Sequence, residues 1–201
     1  MTFPVVGFDL DMTLIDSRPG IAATYEALAA ETGRTIDVAA VTSRLGPPLE
    51  VELAYWFAAE EIPTVADRYR ALYPGIAIPL IALLPGAREA VDTVRAAGGS
   101  ALVITAKNQR NAGLHLDHLG LDVEVVGDAW REAKADVLRE RGAHAYVGDH
   151  VHDMDAARIA DVVGIGVHTG PCTADELAAA GADHVVASLV DAVPLLAALR
   201  P

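Results

Sequence analysis

Residues 3–17 read FPVVGFDLDMTLIDS, and this stretch decides the predicted fold. Its first part is a short apolar run with β-branched members, which is typical of a buried strand. Three polar residues follow at alternate positions, namely Asp9, Asp11 and Thr13. If the backbone stays extended, these side chains project from one side, roughly 7 Å apart per pair. Because neighbouring carboxylates repel each other, we expect a cation or a reacting anion to use them. An ordinary strand end with solvated acids and a helix cap is the alternative.

The composition limits the classes of partner. The chain of 201 residues has 28 acidic and 15 basic residues, a formal net charge of −13. This charge disfavours a nucleic-acid backbone or an anionic membrane surface as the partner. The single cysteine, Cys172, excludes an intramolecular disulfide and favours a reduced, cytoplasmic setting. No apolar run approaches the roughly 20 residues of a membrane helix, and the first residues do not resemble a signal peptide.

The residues that follow the first strand predict helices only. Apolar side chains recur at helical spacing, and no convincing strand appears before residue 73. The predicted helices cover residues 18–32, 37–43, 50–60 and 64–73. This block is predicted to be an all-helical insertion, a cap domain of residues 17–84.

From residue 85 onward, predicted helices alternate with short strands. The helices cover residues 86–97, 108–119, 130–141, 153–160 and 190–199, and the strands cover 101–104, 123–126, 145–148, 162–167 and 184–186. This alternation indicates right-handed crossovers and a parallel sheet with helices on both faces. We therefore predict an α/β fold, a three-layer Rossmann-like core formed by residues 1–16 and 85–201, with the helical cap inserted.

Polar side chains follow three of the predicted strands. Ligands bind beyond the carboxyl ends of the strands in such folds, so these side chains are expected to meet at one edge. The residues concerned are Asp9, Asp11, Thr105, Lys107, Asp149 and Asp153.

These residue types suit phosphoryl transfer. Asp9 is an anion at neutral pH and can attack phosphorus without a separate base. Mg²⁺, held by Asp9 and Asp149, would reduce its repulsion from an anionic substrate. Asp11 can protonate the leaving oxygen and later accept a proton from water. A hydroxyl at Thr105 and an ammonium at Lys134 or Lys107 can hold phosphoryl oxygens.

Together these segments resemble the haloacid dehalogenase superfamily over nearly the whole chain. Its first motif stands here as residues 9–14, DLDMTL, its second as Thr105 after Val103-Ile104, and its fourth as residues 148–153, GDHVHD. With a helical insertion after the first motif, the chain resembles the phosphoglycolate-phosphatase-like subgroup, which has a helical (C1-type) cap. The resemblance implies Mg²⁺ and an aspartyl-phosphate intermediate.

The resemblance also implies a role for each matching residue. Asp9 would be the nucleophile and a metal ligand, and Asp11 the general acid and base, with its backbone carbonyl on the metal. Thr105 would contact phosphate. Asp149 would bind the metal, and Asp153 would support that ligand or a metal-bound water. The acid at Asp11 favours phosphate esters, because relatives that cleave carbon–halogen or carbon–phosphorus bonds lack it.

Two features depart from the family pattern or are weaker. The third motif is usually a lysine followed by proline, whereas Lys134 precedes Ala135. Lys134 is preferred over Lys107, because family members place this lysine on the helix before the fourth-motif strand. In the cap, Arg44 is expected to engage the non-reacting end of the substrate, and Arg70 is a weaker candidate.

The resulting hypothesis is a Mg²⁺-dependent phosphatase acting on a small-molecule phosphomonoester. A phosphomutase of the same superfamily is one alternative. A phospho-receiver module or a catalytically silent binding protein is another. The substrate and the oligomeric state are not encoded in these motifs.

Overall fold

A parallel β-sheet forms the centre of the computed structural model, which describes residues 4–199. The strands are β1 Val5–Phe8, β2 Ile15–Asp16, β3 Ala82–Leu83, β4 Ser100–Ile104, β5 Glu124–Val126, β6 Ala145–Gly148, β7 Val163–Val167 and β8 His184–Val186. Six of them form one parallel sheet in the order β5-β4-β1-β6-β7-β8. Strand β1, which the first acids follow, is therefore an interior strand of the sheet, between β4 and β6.

Helices cover both faces of this sheet. They are α1 Arg18–Thr32, α2 Val38–Thr42, α3 Leu49–Leu53, α4 Ile62–Ile76, α5 Ala87–Ala96, α6 Gln109–Leu119, α7 Glu132–Glu140, α8 Val151–Ala160, α9 Ala174–Ala179 and α10 Leu189–Ala198. On one face, Val6 and Phe8 belong to a core cluster that includes α5 and α10. On the other, Ile104 and Tyr146 belong to a cluster with α7 and α8. Side chains alternate between the two faces along each strand, so the three-layer α/β architecture is confirmed.

The helical insertion leaves and re-enters the core through a short antiparallel ribbon. Strands β2 and β3 pair Ile15 with Leu83, and the backbone N–H of Leu84 donates to the carbonyl of Leu14 at 2.9 Å. Helices α1 to α4 lie between these two strands in the sequence. The ribbon agrees with boundaries near residues 16 and 85, although the division into 17–84 and the rest stays a prediction. Phe3 and the core limits at 1 and 201 lie outside the described residues.

Several predicted helix ends were wrong. The helix predicted at 50–60 is only α3, because the chain enters tight turns in which Tyr55 and Trp56 donate to carbonyls three residues earlier. Helix α4 is longer than the predicted 64–73 and continues through Pro74. Helix α9 was not predicted, although Thr173 and Glu176 form a capping box at its start.

Within residues 4–199, no helix is both long enough and apolar enough to cross a membrane. The cytoplasmic setting inferred from Cys172 stays a prediction.

Candidate active site

The carboxyl end of β1 positions the first acid. The backbone N–H of Asp9 donates to the carbonyl of Val147 at 2.8 Å, which extends the pairing of β1 with β6 by one residue. The side chain of Asp9 is buried. A tight turn then begins, in which the N–H groups of Leu14 and Ile15 both donate to the carbonyl of Leu10. Residues 12–14 form this turn, so the extended backbone predicted as far as Thr13 was wrong, whereas Asp9 and Asp11 both line one cavity.

Three buried carboxylates lie together at this edge of the sheet. One oxygen each from Asp9, Asp149 and Asp153 lies within 4.8 Å of the others. Asp149 follows β6 and accepts a hydrogen bond from the Thr13 hydroxyl at 2.8 Å. Asp153 lies in the first turn of α8 and accepts the N–H of His150 at 3.1 Å. We call these three side chains the acidic cluster.

Two glycines make room for the acidic cluster. A methyl group at Gly148 would overlap the Asp153 carboxylate, and one at Gly170 would overlap Oδ2 of Asp149. The sequence analysis did not predict Gly170 as part of the site, although it lies just after the strand predicted at 162–167. The same rule that sends ligands to strand ends would have pointed to it.

Lys134 supplies a cation to the acidic cluster. Its Nζ donates to Asp9 Oδ1 at 2.7 Å and to Asp153 Oδ1 at 2.6 Å, and the side chain is buried. Burial opposes its charge, but Asp153 and Asp9 outweigh this and raise the pKa of Lys134 well above its ordinary value. One ammonium therefore faces three carboxylates, which leaves an excess of negative charge in a buried site.

Burial and this excess negative charge raise the pKa values of two of the carboxyl groups. Burial raises the pKa of Asp9 to about 7 against the opposing effect of Lys134, and the charge of Asp153 adds to the rise. Burial and the charges of Asp9 and Asp153 raise the pKa of Asp149 well above its usual range. A hard divalent cation favours carboxylate oxygens and would relieve this repulsion, so the donor set fits Mg²⁺.

Asp11 lies in a separate network with Lys107. The Lys107 Nζ is 3.0 Å from Asp11 Oδ1 and donates to the hydroxyl of Tyr73, on α4, at 2.9 Å. Burial alone would raise the pKa of Asp11, but Lys107, Ser17 and His115 outweigh it, and the pKa lies below its ordinary value. Asp11 is therefore held as a carboxylate.

The network continues to a buried histidine on α6. The Tyr73 hydroxyl lies 3.0 Å from His115 Nε2, and because it accepts from Lys107 it can donate to that nitrogen. Burial, together with the charge of Lys107, lowers the pKa of His115 to about 4. The neutral imidazole thus links the cap helix α4 to the core.

Thr105 lies where the β4 strand ends. Its N–H donates to the carbonyl of Val126 at 3.0 Å, and its hydroxyl accepts the N–H of Lys107 at 3.1 Å. Thr105 lines the same cavity as Asp9 and Asp11.

A cavity of about 290 Å³ lies between the helical insertion and the strand ends. Its wall includes both arginines that the sequence singled out. Arg44 donates to Glu52 through Nη2 at 2.6 Å and through Nε at 3.2 Å, and its guanidinium lies over Tyr55 at 4.5 Å. Arg70 is paired with Glu50.

The structure therefore groups the predicted residues into three sets. Asp9, Lys134, Asp149 and Asp153 are in direct contact or close proximity, and Asp11, Lys107 and Thr105 form a second set. Arg44 is on the opposite, cap wall of the cavity. The sequence analysis missed Tyr73 and Glu52, because their contacts with Lys107 and Arg44 depend on how the insertion folds over the core.

Comparison with known proteins gives one family match. The haloacid dehalogenase-like hydrolase family matches residues 6–167. The tyrosine-protein kinase PtkA of Mycobacterium tuberculosis is 30% identical over 76% of this chain and 58% of its own length. The chain thus spans less than two thirds of that relative. The probable phosphatase IndB of Dickeya dadantii is 27% identical over 94% of this chain and 92% of its own length.

Further relatives and solved structures extend the comparison. A phosphoglycolate phosphatase of Cereibacter sphaeroides is 32% identical over 77% of this chain and 79% of its own length. A predicted phosphatase from Clostridium acetobutylicum superposes with a TM-score of 0.84 at 22% identity, covering 99% of this chain and 100% of that one. At this identity the superposition shows a shared fold.

Proposed function

We propose a function for this chain on one established premise: it is an enzyme of the haloacid dehalogenase-like hydrolase family. The proposed function is Mg²⁺-dependent hydrolysis of a small-molecule phosphomonoester through an aspartyl-phosphate on Asp9. The observation that carries it is the position of Asp9. Its buried carboxylate contacts Lys134, belongs to the acidic cluster and lines the cavity.

The acidic cluster supports the proposed metal site. Asp9, Asp149 and Asp153 would hold Mg²⁺, and the backbone carbonyl of Asp11 is the further ligand implied by the family. When bound, Mg²⁺ would neutralise carboxylate charge and orient the phosphoryl group. Lys134, already in contact with Asp9, would hold a phosphoryl oxygen, and Thr105 would hold another through its hydroxyl.

In the first step, a carboxylate oxygen of Asp9 attacks phosphorus. The bond from phosphorus to the ester oxygen breaks, and the leaving oxygen takes a proton from Asp11. Asp11 must acquire that proton before the step, since Lys107 favours its charged form. In the second step, Asp11 takes a proton from water as the water oxygen attacks phosphorus. The Asp9–phosphorus bond breaks, and inorganic phosphate leaves.

Two of the relatives carry names that agree with this class of reaction. The Cereibacter sphaeroides relative is named a phosphoglycolate phosphatase and the Dickeya dadantii relative a probable phosphatase. The chain covers most of both proteins. These names support a small phosphate ester as the proposed substrate. The net charge of −13 supports the further proposal that neither a nucleic acid nor a membrane is a partner.

The test is release of inorganic phosphate from a panel of small phosphomonoesters, with Mg²⁺ and with a chelator. We expect Mg²⁺-dependent turnover in the parent and none above background in Asp9→Asn. The matched control is Asp155→Asn, on the same helix as Asp153 but partly exposed, which should keep parental turnover. No turnover of any ester by the parent in Mg²⁺ would overturn the proposal. Isomerisation of a sugar phosphate without net phosphate release would favour the phosphomutase.

A further inference from the structure

The cations on the cavity wall already have carboxylate partners. Arg44 is paired with Glu52, Arg70 with Glu50 and Lys107 with Asp11, and all six residues line the cavity. Each pair brings a positive and a negative charge to the wall. The part of the cavity beyond the acidic cluster therefore offers an incoming ligand no net positive charge from these residues.

The pair formed by Arg44 and Glu52 is firmly held. Glu52 accepts both Arg44 hydrogen bonds and a third, at 3.0 Å, from the indole N–H of Trp56. Its side chain is only 12% exposed. A substrate carboxylate that approached Arg44 would have to displace Glu52 or remain beside it. Either arrangement is unfavourable, because it breaks charge-assisted hydrogen bonds or brings like charges together.

Neutral polar groups on the same wall lack partners. Among residues 4–199, none forms a hydrogen bond with the hydroxyls of Tyr25 or Tyr69, or with the side-chain amide of Asn111. All three residues are more than nine-tenths buried and line the cavity. Burial raises the pKa of both tyrosine hydroxyls, so they stay neutral. Hydroxyls and amides both donate and accept hydrogen bonds, as a ligand hydroxyl does.

We propose that the non-reacting part of the substrate is uncharged and carries hydroxyl groups, so that this enzyme prefers phosphate esters of polyols or sugars to phosphorylated carboxylic acids. This inference rests on the proposed phosphatase function. The hydroxyls and amide of Tyr25, Tyr69 and Asn111 bind the substrate hydroxyls. Glu50 and Glu52 disfavour a second anion by keeping Arg70 and Arg44 neutralised. Arg44 then shapes the wall through Glu52 instead of binding the far end of the substrate.

Two matched pairs of substrates test the preference. 2-Hydroxyethyl phosphate differs from 2-phosphoglycolate, and glycerol 3-phosphate from 3-phosphoglycerate, by one hydroxymethyl group in place of a carboxylate. We expect kcat/KM to be at least about tenfold higher for the hydroxyl member of each pair, since the carboxylate of the other member would lie near Glu50 and Glu52 without a free cation to compensate its charge. Equal values, or a preference for the acids, would overturn this inference while leaving the phosphatase intact. No turnover of any of the four would count against the phosphatase itself.

A variant that frees Arg44 gives an independent readout. Glu52→Gln removes the competing charge, and we expect the ratio of kcat/KM for 2-phosphoglycolate over 2-hydroxyethyl phosphate to rise at least about tenfold. The ratio cancels any loss of folded enzyme. The matched control is Glu61→Gln, which removes the partner of Arg34 outside the cavity and should leave the ratio unchanged. A ratio unchanged in Glu52→Gln, or raised equally in both variants, would contradict the proposal.

Discussion

The ammonium of Lys107 lies 3.0 Å from the carboxylate of Asp11, in a site where both side chains are largely shielded from water. Burial would raise the pKa of Asp11, but this contact, together with Ser17 and His115, keeps that pKa below its ordinary value. The same ammonium bonds to Tyr73 on the helical insertion. Asp11, the proposed acid and base, is thus linked through Lys107 to helix α4 of the insertion.

Replacing Lys107 by methionine should impair Asp11 as a base. Burial raises the pKa of Asp11, and the Lys107 ammonium opposes this effect. Without the ammonium the pKa of Asp11 rises, so a larger fraction of the Asp11 carboxyl groups is protonated near neutral pH. A protonated Asp11 suits the first step but cannot accept the proton of the attacking water in the second. We therefore expect hydrolysis of the aspartyl-phosphate to limit the rate, kcat at pH 7 to fall by about 10- to 100-fold, and the acidic side of the kcat–pH profile to move to higher pH. Steady-state kinetics across pH will measure both. Lys107→Arg keeps the charge and should restore part of the profile, whereas a parental profile in Lys107→Met would contradict this account.

Magnesium should stabilise the folded protein through the acidic cluster. At a concentration about 100-fold above its dissociation constant, a ligand adds about 2.7 kcal/mol, or roughly 5 to 10 °C in Tm for a chain of this size. Asp149→Asn should lose most of this gain. Because the substitution also removes carboxylate repulsion, its Tm in chelator should equal or exceed that of the parent. Thermal unfolding with and without Mg²⁺ measures both effects, and Asp155→Asn is the control that keeps the gain.

Gly170→Ala should damage the site without removing any functional group. A methyl group there overlaps Asp149 Oδ2, so the carboxylate or the loop must move. We expect kcat/KM to fall by about 100-fold, as small displacements of reacting groups often cause. Gly113→Ala, on α6, meets no atom within 4 Å and should keep parental activity while stabilising the helix slightly. Full activity in Gly170→Ala would show that Asp149 tolerates displacement.

His115 should make stability depend on pH. Its pKa is about 4 in the folded protein against about 6.5 when unfolded, so below pH 6.5 the unfolded chain binds the additional proton. The contribution of His115 to stability is therefore complete above pH 6.5 and falls as the pH drops toward 4, by up to about 3 kcal/mol. His115→Gln should show a flatter dependence in urea unfolding between these pH values. His118→Gln, exposed on the same helix, should retain the parental slope.

The sequence by itself determined the architecture and the order of the site residues. Alternating helices and short apolar strands required a parallel sheet, and the carboxyl ends of parallel strands meet at one edge. Asp9, Thr105 and Asp149 could therefore be assigned to one site before any contact was known. The helical insertion could also be predicted, because the apolar residues of 18–73 recur at helical spacing and no strand pattern interrupts them.

Only the tertiary structure decided which charges meet. Lys134 contacts Asp9 and Lys107 contacts Asp11, yet both lysines were candidates for the same phosphate from their positions alone. The pairing of Arg44 with Glu52 and the approach of Gly170 to Asp149 were equally invisible. Local periodicity fixes which face a side chain occupies, whereas these contacts depend on strand order, on the turn after Leu10 and on the docking of the insertion. Those features bring together side chains that lie far apart in the chain, and no local pattern records their distances.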